Sequence, residues 1–418
     1  MKQKKEQNIL KNLHAGFEGN QIRIGIDARF LLRPLRGIPL YVLHLCLNLP
    51  ALRTNYQFYY FINKGFEHND RPENYQNRLD RIQNYKNVTI VNKDDDAEIR
   101  WEQIYLKKLI KQYRIDLLHM PANRVCFFPG VPTIVTIHDI MEYLFLSRIH
   151  PIPKTCDLRM MLYVLRKRGY VWWNYKYGIK KASKIISVSH YSANDLKSNL
   201  NCDDGHIKVI HHGIDNDFFL TKNNYQIGIE ESDNISSQPY VLMLGGDSYQ
   251  KNPEGAIKAW SLVNPNIRKQ YHLKIIGFSG DQNSPLIRAL KKNNLADEVE
   301  VSGWVTQNEL IKYFHRASLF LCLSRYEGFG FPILQAMASG TPIISTNMAS
   351  LPEILGNVGF QFLPDDHIGI SKAIESVLQD NRMQAEQSSA GIKRAENFSW
   401  QHCVEEHIRI YEEVLQNK

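Results

Sequence analysis

Short apolar runs alternate with segments of helical periodicity along most of the chain. In the first half the runs predict strands at Ile22–Ile26, Phe58–Ile62, Val88–Val91, Leu117–His119, Thr133–Ile137, Ile185–Val188 and Lys208–Ile210. In the second half they predict strands at Tyr240–Leu244, Leu273–Ile276, Val299–Val301, Leu319–Leu323, Ile343–Ser345 and Gln361–Leu363. Helical patterns lie between them, including Trp101–Tyr113, Pro253–Leu262, Asn308–His315 and Pro332–Ala338. This alternation predicts an α/β protein in which a doubly wound parallel sheet is formed twice.

The polar stretch 216–238 interrupts the alternation, and we predict that it is a linker. It separates an amino-terminal Rossmann-like domain, 1–215, from a carboxyl-terminal Rossmann-like domain, 239–398. We predict that the first 20 or so residues form a polar extension and that residues 399–418 form a helix that crosses back to the first domain. Ligands of open parallel sheets bind beyond the carboxyl ends of the strands, so we expect the two domains to face a central cleft.

The composition is that of a globular protein, with 43% apolar and 22% charged residues among 418 and a net charge of +8. The six cysteines lie far apart and show no disulfide or metal-ligand spacing, which favours a reducing compartment. The basic first 20 residues lack the apolar core of a signal peptide, and no stretch approaches the ~20 apolar residues of a membrane span. We therefore expect a cytoplasmic protein, at most at the inner face of a membrane.

The segment Ser324–Pro342 carries the densest chemical signal. It follows an apolar strand and leads into a predicted helix with Pro332 in the first turn, where proline is tolerated. Gly328 and Gly330 remove side-chain bulk before that helix, so backbone N–H groups can meet an anion at its positive end. Glu327 stands beside them, where a carboxylate can accept hydrogen bonds from hydroxyl groups. The pattern predicts a site for a ligand with phosphate and hydroxyl groups.

This segment resembles the E-x7-E motif of the family 4 glycosyltransferases, which have the GT-B fold. Residues 301–305 are similar to the family's strand–glycine–aromatic–Val turn beside the nucleotide base, and 349–354 resemble its S-x-x-P-E segment. Similar segments in the amino-terminal half are Gly25–Arg29, Thr136–Asp139, Ile186–His190 and Val209–Gly213. The resemblance extends from about residue 22 to about residue 415. It implies a retaining hexosyltransferase that needs no metal, similar to mannosyl- and rhamnosyltransferases of polysaccharide synthesis.

The resemblance also implies roles for residues at matching positions. Glu327 would contact hydroxyl groups of the transferred sugar, Lys251 would neutralise the donor diphosphate, and His138 would face the donor sugar, so these three form the predicted catalytic set. Stabilising the charge that develops on a departing diphosphate is the chemistry that such a transfer requires. The predicted donor-binding residues are Gly37, Gly245, Gly246, Lys251, Gly303, Trp304, Val305, Glu327, Gly328, Phe329, Gly330 and Gln335.

Three positions depart from the family's pattern. Gln335 replaces the second motif glutamate, which grips the ribose hydroxyls, and its amide can make hydrogen bonds but no charge-assisted ones. Gly246 stands where many members have an arginine on the diphosphate, and Pro39 and Leu40 replace the glycine and arginine of the family's G-I-G-R-Y loop. Candidates to supply the missing charge are Arg29, Arg36 and Arg325. Two alternatives stay open: a catalytically impaired protein that binds glycans or supports another subunit, and a nucleotide-sugar epimerase.

The stretch Asp157–Lys184 mixes apolar residues at helical spacing with many lysines and arginines. We expect it to contact an anionic membrane near a lipid-linked acceptor, with a core-facing helix that has a solvated basic side as the alternative. No nucleic-acid-binding module is recognisable, so no nucleic acid is expected as a partner. The expected partners are a nucleotide-sugar donor and a glycan or lipid-linked acceptor, with no cofactor and no metal.

Overall fold

The computed structural model describes residues 21–64, 75–94, 97–152, 156–219, 238–245 and 248–417. The first sheet has seven strands: β1 (Arg23–Asp27), β2 (Gln57–Ile62), β3 (Val88–Asn92), β4 (Leu117–Met120), β5 (Thr133–Ile137), β6 (Lys184–Ser187) and β7 (Ile207–Val209). They lie in the order β3-β2-β1-β4-β5-β6-β7. In β1, Ile24 pairs in parallel with Phe58 on one side and Leu117 on the other. This strand is buried from Ile24 to Asp27, as expected of a strand inside a parallel sheet.

Helices connect these strands. Those before β8 are Ile38–Leu52, Tyr75–Gln83, Glu98–Arg100, Leu106–Tyr113, Met141–Leu144, Leu146–Ile149, Leu158–Trp173 and His190–Leu200. A π-helical turn, Trp101–Tyr105, precedes Leu106–Tyr113, and a second one, Asn174–Gly178, follows Leu158–Trp173. Shorter 3-10 turns are Arg29–Leu32, Ile179–Lys181, Asp204–His206 and Asn216–Phe219. Helices between parallel strands are the connection that such a sheet requires.

The second sheet has six strands: β8 (Tyr240–Leu244), β9 (His272–Ile276), β10 (Val299–Ser302), β11 (Leu319–Cys322), β12 (Ile343–Thr346) and β13 (Phe360–Phe362). All neighbours in the order β10-β9-β8-β11-β12-β13 pair in parallel. Its helices are Pro253–Ser261, Pro265–Gln270, Pro285–Lys292, Gln307–Arg316, Phe331–Ala338, Leu351–Leu355, His367–Gln379 and Asn381–Ala395, followed by Trp400–Gln416, and a 3-10 turn spans Tyr249–Lys251. When β8 is counted as strand 1, this order is 3-2-1-4-5-6, which is the strand order of a Rossmann-like sheet.

Apolar side chains on both faces of the second sheet form two cores. On one face, Leu242 and Phe320 pack with Ile333 and Met337 of the helix Phe331–Ala338. On the other face, Val241 and Leu321 belong to a cluster with residues of the helices Pro253–Ser261 and His367–Gln379. A strand that contributes consecutive residues to opposite cores must be apolar at every position.

The predicted architecture of two doubly wound parallel sheets is confirmed. Each predicted strand is present, with both ends within one residue of the prediction. Among the described residues, no helix has the length and apolar character needed to cross a bilayer. The predicted polar extension lies outside the described residues, and so does most of the predicted linker, residues 220–237.

The chain divides into two compact units whose bounds differ from the predicted domains. One unit comprises Met1–Ile137, Ile152–Ile186 and Val404–Lys418, and the other comprises His138–Pro151 and Ser187–Cys403. Residues 138–151 and 187–215, which the sequence pattern places in the first domain, therefore belong to the second unit. The hydrogen bond from Ile214 N–H to the carbonyl of Phe398, at 3.1 Å, shows one cause of this difference.

Candidate functional site

Lys251 and Glu327 form an ion pair at the carboxyl ends of two adjacent strands. Lys251 Nζ lies 2.6 Å from Glu327 Oε1, and the two side chains are 23% and 14% exposed. Burial alone would lower the pKa of Lys251, but the charge and hydrogen bond of Glu327 outweigh that effect and raise this pKa. The ammonium group therefore stays protonated at neutral pH. The hydroxyl of Ser324 donates a second hydrogen bond to Glu327 Oε1, at 2.7 Å.

Local backbone conformation sets the position of Lys251. The strand β8 ends at Leu244, and Gly245 follows with φ of +114°. A Cβ atom at Gly245 would lie 2.7 Å from Lys251 Cγ, so only glycine leaves room for the lysine stem. Asn252, at φ of +55°, then begins the helix Pro253–Ser261. Asparagine tolerates this left-handed conformation better than most residues.

The main chain of His138 packs directly against Gly328. A Cβ atom at Gly328 would lie 2.1 Å from the His138 carbonyl oxygen, which excludes any side chain at this position. Two buried serines hold the contact: Ser189 Oγ donates to the Gly328 carbonyl at 2.7 Å, and Ser192 Oγ lies 3.0 Å from that carbonyl and 3.1 Å from the carbonyl of His138. Lys251, Glu327, Gly328 and His138 thus belong to one compact unit.

Asp139 adds a carboxyl group beside this arrangement. Burial and the nearby charges of Glu327 and Glu142 raise the pKa of Asp139 to about 6, although a hydrogen bond from Met141 N–H, at 2.9 Å, opposes the shift. A fourth carboxylate, Asp195, also contributes to the shift and accepts a hydrogen bond from the Tyr326 hydroxyl at 2.6 Å. Several carboxyl groups therefore lie near the loop that contains Glu327.

The loop then enters the helix Phe331–Ala338 through Gly330, which has φ of +103°. The ring of Phe329 is buried, with its centroid 4.8 Å from that of His212 and 5.3 Å from that of Phe331. Gln335 is buried in the same helix. The side chain of Phe329 is therefore part of the core, which leaves only its backbone for the predicted ligand contact.

The predicted base-binding turn follows strand β10. A Cβ atom at Gly303 would lie 4.0 Å from the Phe278 carbonyl oxygen, Trp304 is 58% exposed, and Val305 packs partly buried against the core. A Cβ atom at Gly277 would lie 3.0 Å from the Trp304 ring, so the indole rests on the Gly277 backbone. An exposed indole held in this way provides a flat apolar surface on which an aromatic base can stack.

In the other unit, Gly37 has φ of +52° and begins the helix Ile38–Leu52. Arg29 is buried there between Asp27, at 3.2 Å, and Glu102, which also accepts a hydrogen bond from the Tyr170 hydroxyl. The charges of Asp27 and Glu102 outweigh the effect of burial and raise the pKa of Arg29. The positive charge of Arg29 is thus balanced by the acidic side chains of a buried network.

The other candidates for the missing positive charge differ in surroundings. Arg325 forms an exposed ion pair with Asp365 at 2.6 Å, and Arg36 lies on the surface. Gly246 falls outside the described residues. The sequence did not indicate the roles of Ser189, Ser192 and Asp139, although each lies in or next to a segment that resembles the family's. These three side chains belong to no recognisable sequence motif, because the loop that they contact is far away in the sequence.

Two family profiles match the chain. The profile described as "Glycosyltransferase Family 4" matches residues 35–218, and the one described as "Glycosyl transferases group 1" matches 228–394. The chain is 28% identical over 233 residues to O-antigen chain mannosyltransferase B of Escherichia coli, a match that covers 56% of this chain and 61% of that protein. It therefore spans about three fifths of the length of that relative.

Solved structures share the fold over nearly the whole chain. A glycosyltransferase from Rickettsia africae ESF-5 superposes with a TM-score of 0.67 at 16% identity and covers 96% of this chain and 100% of its own. The Anabaena protein HepE, in complex with UDP-glucose, gives a TM-score of 0.65 at 16% identity and covers 94% and 100%. At this level of identity the likeness concerns the fold, and it confirms the predicted GT-B class.

Proposed function

Because this chain belongs to the family 4 glycosyltransferases and has their GT-B fold, we propose that it transfers a hexose from a nucleotide-sugar donor to a glycan or lipid-linked acceptor. The similarity to a protein named O-antigen chain mannosyltransferase B supports a mannose-like sugar and a role in polysaccharide or lipopolysaccharide synthesis. GDP-mannose is accordingly the first donor to test.

The observation that carries the proposal is the pair of Lys251 and Glu327, whose Nζ and Oε1 atoms lie 2.6 Å apart at the strand ends. A protonated lysine in this partly buried setting can stabilise a diphosphate leaving group more strongly than it could in water. Glu327 can accept hydrogen bonds from the sugar hydroxyls. The backbone turn at Gly328 and Gly330 brings N–H groups towards the start of the following helix, where a negative charge is stabilised.

We propose retention of the anomeric configuration by attack from the face that the leaving group occupies. In this reaction the departing diphosphate helps to take the proton from the acceptor hydroxyl, and the bond from the anomeric carbon to the diphosphate oxygen breaks as the bond to the acceptor oxygen forms. Lys251 steadies the charge on the leaving group, and Glu327 holds the sugar. The test is the anomeric configuration of the product, read by NMR, and isolation of a glycosylated side chain on the reaction path would contradict this mechanism.

The activity itself is tested by nucleotide release across GDP-, UDP-, ADP- and dTDP-sugars, with and without acceptor. We expect release with one donor class, lost in Glu327→Gln and in Lys251→Met. Glu298→Gln is the matched control, because it removes the acid of an ion pair with Arg268 at 2.6 Å elsewhere in the same unit. Absence of release, together with no stabilisation by any nucleoside diphosphate, would favour a glycan-binding or supporting subunit. A changed nucleotide-sugar without acceptor would favour an epimerase.

We also propose that the helix Leu158–Trp173 contacts an anionic membrane near a lipid-linked acceptor. Only Val164 and Val171 are buried in this helix. Large apolar side chains stay exposed, namely Leu158, Met160, Leu162, Tyr163, Leu165, Trp172 and Trp173. They are interspersed with Arg159, Arg166, Lys167 and Arg168, and this composition supports binding to an interface that carries negative charge. The test is co-sedimentation with phosphatidylglycerol vesicles, where phosphatidylcholine vesicles should bind much less and equal binding would contradict the proposal.

A further inference from the structure

Three side chains of the second unit, none of which belongs to the Lys251–Glu327 pair, lie close together. They are His190, His211 and Glu353, and one ligand atom from each lies within 4.8 Å of the others. His211 Nε2 is 2.6 Å from Glu353 Oε1, and the rings of His190 and His211 meet edge to face at 5.9 Å. From these contacts we infer that His190, His211 and Glu353 form a binding site for a zinc-class divalent cation.

The donor set selects the class of cation. Two imidazole nitrogens and one carboxylate oxygen suit Zn²⁺, Co²⁺ or Ni²⁺, whereas Mg²⁺ and Ca²⁺ prefer sites built from oxygen alone. Three protein ligands leave a fourth tetrahedral position for water. His190 is exposed and the other two residues are half-buried, so a hydrated ion can reach all three.

The distances permit this coordination after small side-chain movements. Ligand atoms about 2.0–2.1 Å from a tetrahedral Zn²⁺ lie roughly 3.4 Å from one another. The His211–Glu353 contact of 2.6 Å must therefore open by roughly 0.8 Å, and the widest separation, which is within 4.8 Å, must close by at most about 1.4 Å. Rotation of the exposed His190 ring can supply most of the second change. The ion takes the place of the hydrogen bond between His211 Nε2 and Glu353 Oε1, and the neutral imidazole of His211 then carries its one ring proton on Nδ1.

The backbone already orients the carboxylate. Glu353 Oε1 accepts a hydrogen bond from His190 N–H at 2.9 Å, and Oε2 accepts one from Tyr191 N–H at 3.1 Å. A carboxylate offers about four lone pairs, so these two bonds leave capacity for a cation. Such outer hydrogen bonds fix the ligand and strengthen metal sites. Burial raises the pKa of Glu353, but the hydrogen bond with His211 and the two backbone hydrogen bonds outweigh this effect and lower it.

The site goes beyond the proposed transfer reaction, in which Lys251 stabilises the leaving group. Its expected effect is mechanical: the ion joins the start of the helix His190–Leu200 and the residue His211 to Glu353. In the segment just before Glu353, Ser350 Oγ donates to the main-chain carbonyl of Glu327 at 2.9 Å. A cation bound to the folded chain must raise its thermal unfolding temperature by mass action.

The experiment uses the full chain without a histidine tag, freed of metal with EDTA and then titrated with ZnCl₂ or CoCl₂. We expect one equivalent to bind, with the visible absorption of tetrahedral Co²⁺ and an increase in the unfolding temperature, and no comparable effect of MgCl₂. His190→Gln should weaken Zn²⁺ binding about tenfold or more. His206→Gln, an exposed histidine of the same unit, is the matched control and should bind as the unaltered chain does.

A second readout does not depend on the folding of a variant. Zn²⁺ should protect His190 and His211 of the unaltered chain from diethylpyrocarbonate, as located by mass spectrometry, and should leave His206 reactive. Absence of saturable one-to-one binding, or equal protection of His206, would overturn the site. Running the nucleotide-release assay in EDTA tests the transferase without the cation, so failure of the cation site and failure of the proposed transferase activity are distinguishable.

Discussion

Replacing Gly328 by alanine should damage the proposed active site through a single methyl group. The new Cβ would lie 2.1 Å from the His138 carbonyl oxygen and 3.0 Å from Asp139 Cβ. Ordinary van der Waals contact requires roughly 3.3 Å or more, so the Glu327 loop or the His138 strand end must move by about 1 Å. Both are backbone segments, and the serine hydrogen bonds that join them resist the movement.

The expected losses of activity and of stability follow from that displacement. A misplacement of about 1 Å in a catalytic arrangement costs on the order of 100-fold in rate, and overpacking in a buried position costs about 1–3 kcal/mol of stability. We therefore expect Gly328→Ala to lower the turnover number about 100-fold, with a smaller change in KM, and to lower the free energy of unfolding. Turnover is measured by nucleotide release and stability by urea unfolding.

Gly169→Ala is the matched control for this experiment. Gly169 lies in the helix Leu158–Trp173, has no positive φ, and has nothing within 4 Å of an added Cβ. Alanine should therefore leave turnover unchanged and stabilise the helix by about 0.5–1 kcal/mol. Gly328→Ala with the turnover and stability of the unaltered chain would refute the steric reasoning, because it would mean that the loop relaxes without consequence.

Three further predictions concern side chains around the same loop. Lys251→Ala should weaken binding of a nucleoside diphosphate about tenfold or more while leaving the free nucleoside unaffected, as measured by calorimetry, with the exposed Lys258→Ala as control. Asp139 has a pKa of about 6 in the folded chain and of 3.8 in the unfolded chain. Between these two pH values the folded chain binds a proton at Asp139 that the unfolded chain has lost, so the folded state becomes less stable as the pH rises from 3.8 to about 6. Asp139→Asn should therefore gain about 2 kcal/mol relative to the unaltered chain between pH 4 and pH 8, and a difference independent of pH would contradict this. Ser192→Ala should cost about 0.5–1.5 kcal/mol in urea unfolding, because it removes a buried hydroxyl that donates to the carbonyls of His138 and Gly328, whereas Ser198→Ala on the exposed face of the same helix should cost little.

The fold was accessible from sequence because its signals are local. The strands are short runs rich in apolar residues, and helices cover the inner strands of a doubly wound sheet on both faces, as Leu242 and Val241 illustrate by entering opposite cores. The unit boundary was less accessible, since it depends on tertiary contacts. Residues 187–215 carry the periodicity of the first sheet, yet Ser189 and Ser192 hydrogen-bond to Gly328 and so associate with the second unit.

The candidate site shows the same division between local and long-range information. Sequence placed Glu327 before a helix and Lys251 after a strand, and the parallel pairing of β8 with β11 is what brings the two strand ends together. The requirement for glycine at position 328 has a different origin. It follows from the His138 carbonyl, 190 residues earlier in the chain, and no local pattern records that contact.

In the proposed reaction the Lys251–Glu327 pair couples donor binding to the handling of the sugar. Glu327 Oε1 accepts hydrogen bonds from both Lys251 Nζ, at 2.6 Å, and Ser324 Oγ, at 2.7 Å. A diphosphate competes for the lysine with more than one negative charge, and when it takes Lys251, Glu327 keeps only the hydrogen bond of Ser324 and can use both of its oxygens for sugar hydroxyls. A free sugar cannot displace the ion pair because it brings no charge. The arrangement therefore favours an activated sugar over a free one, before any step of the chemistry takes place.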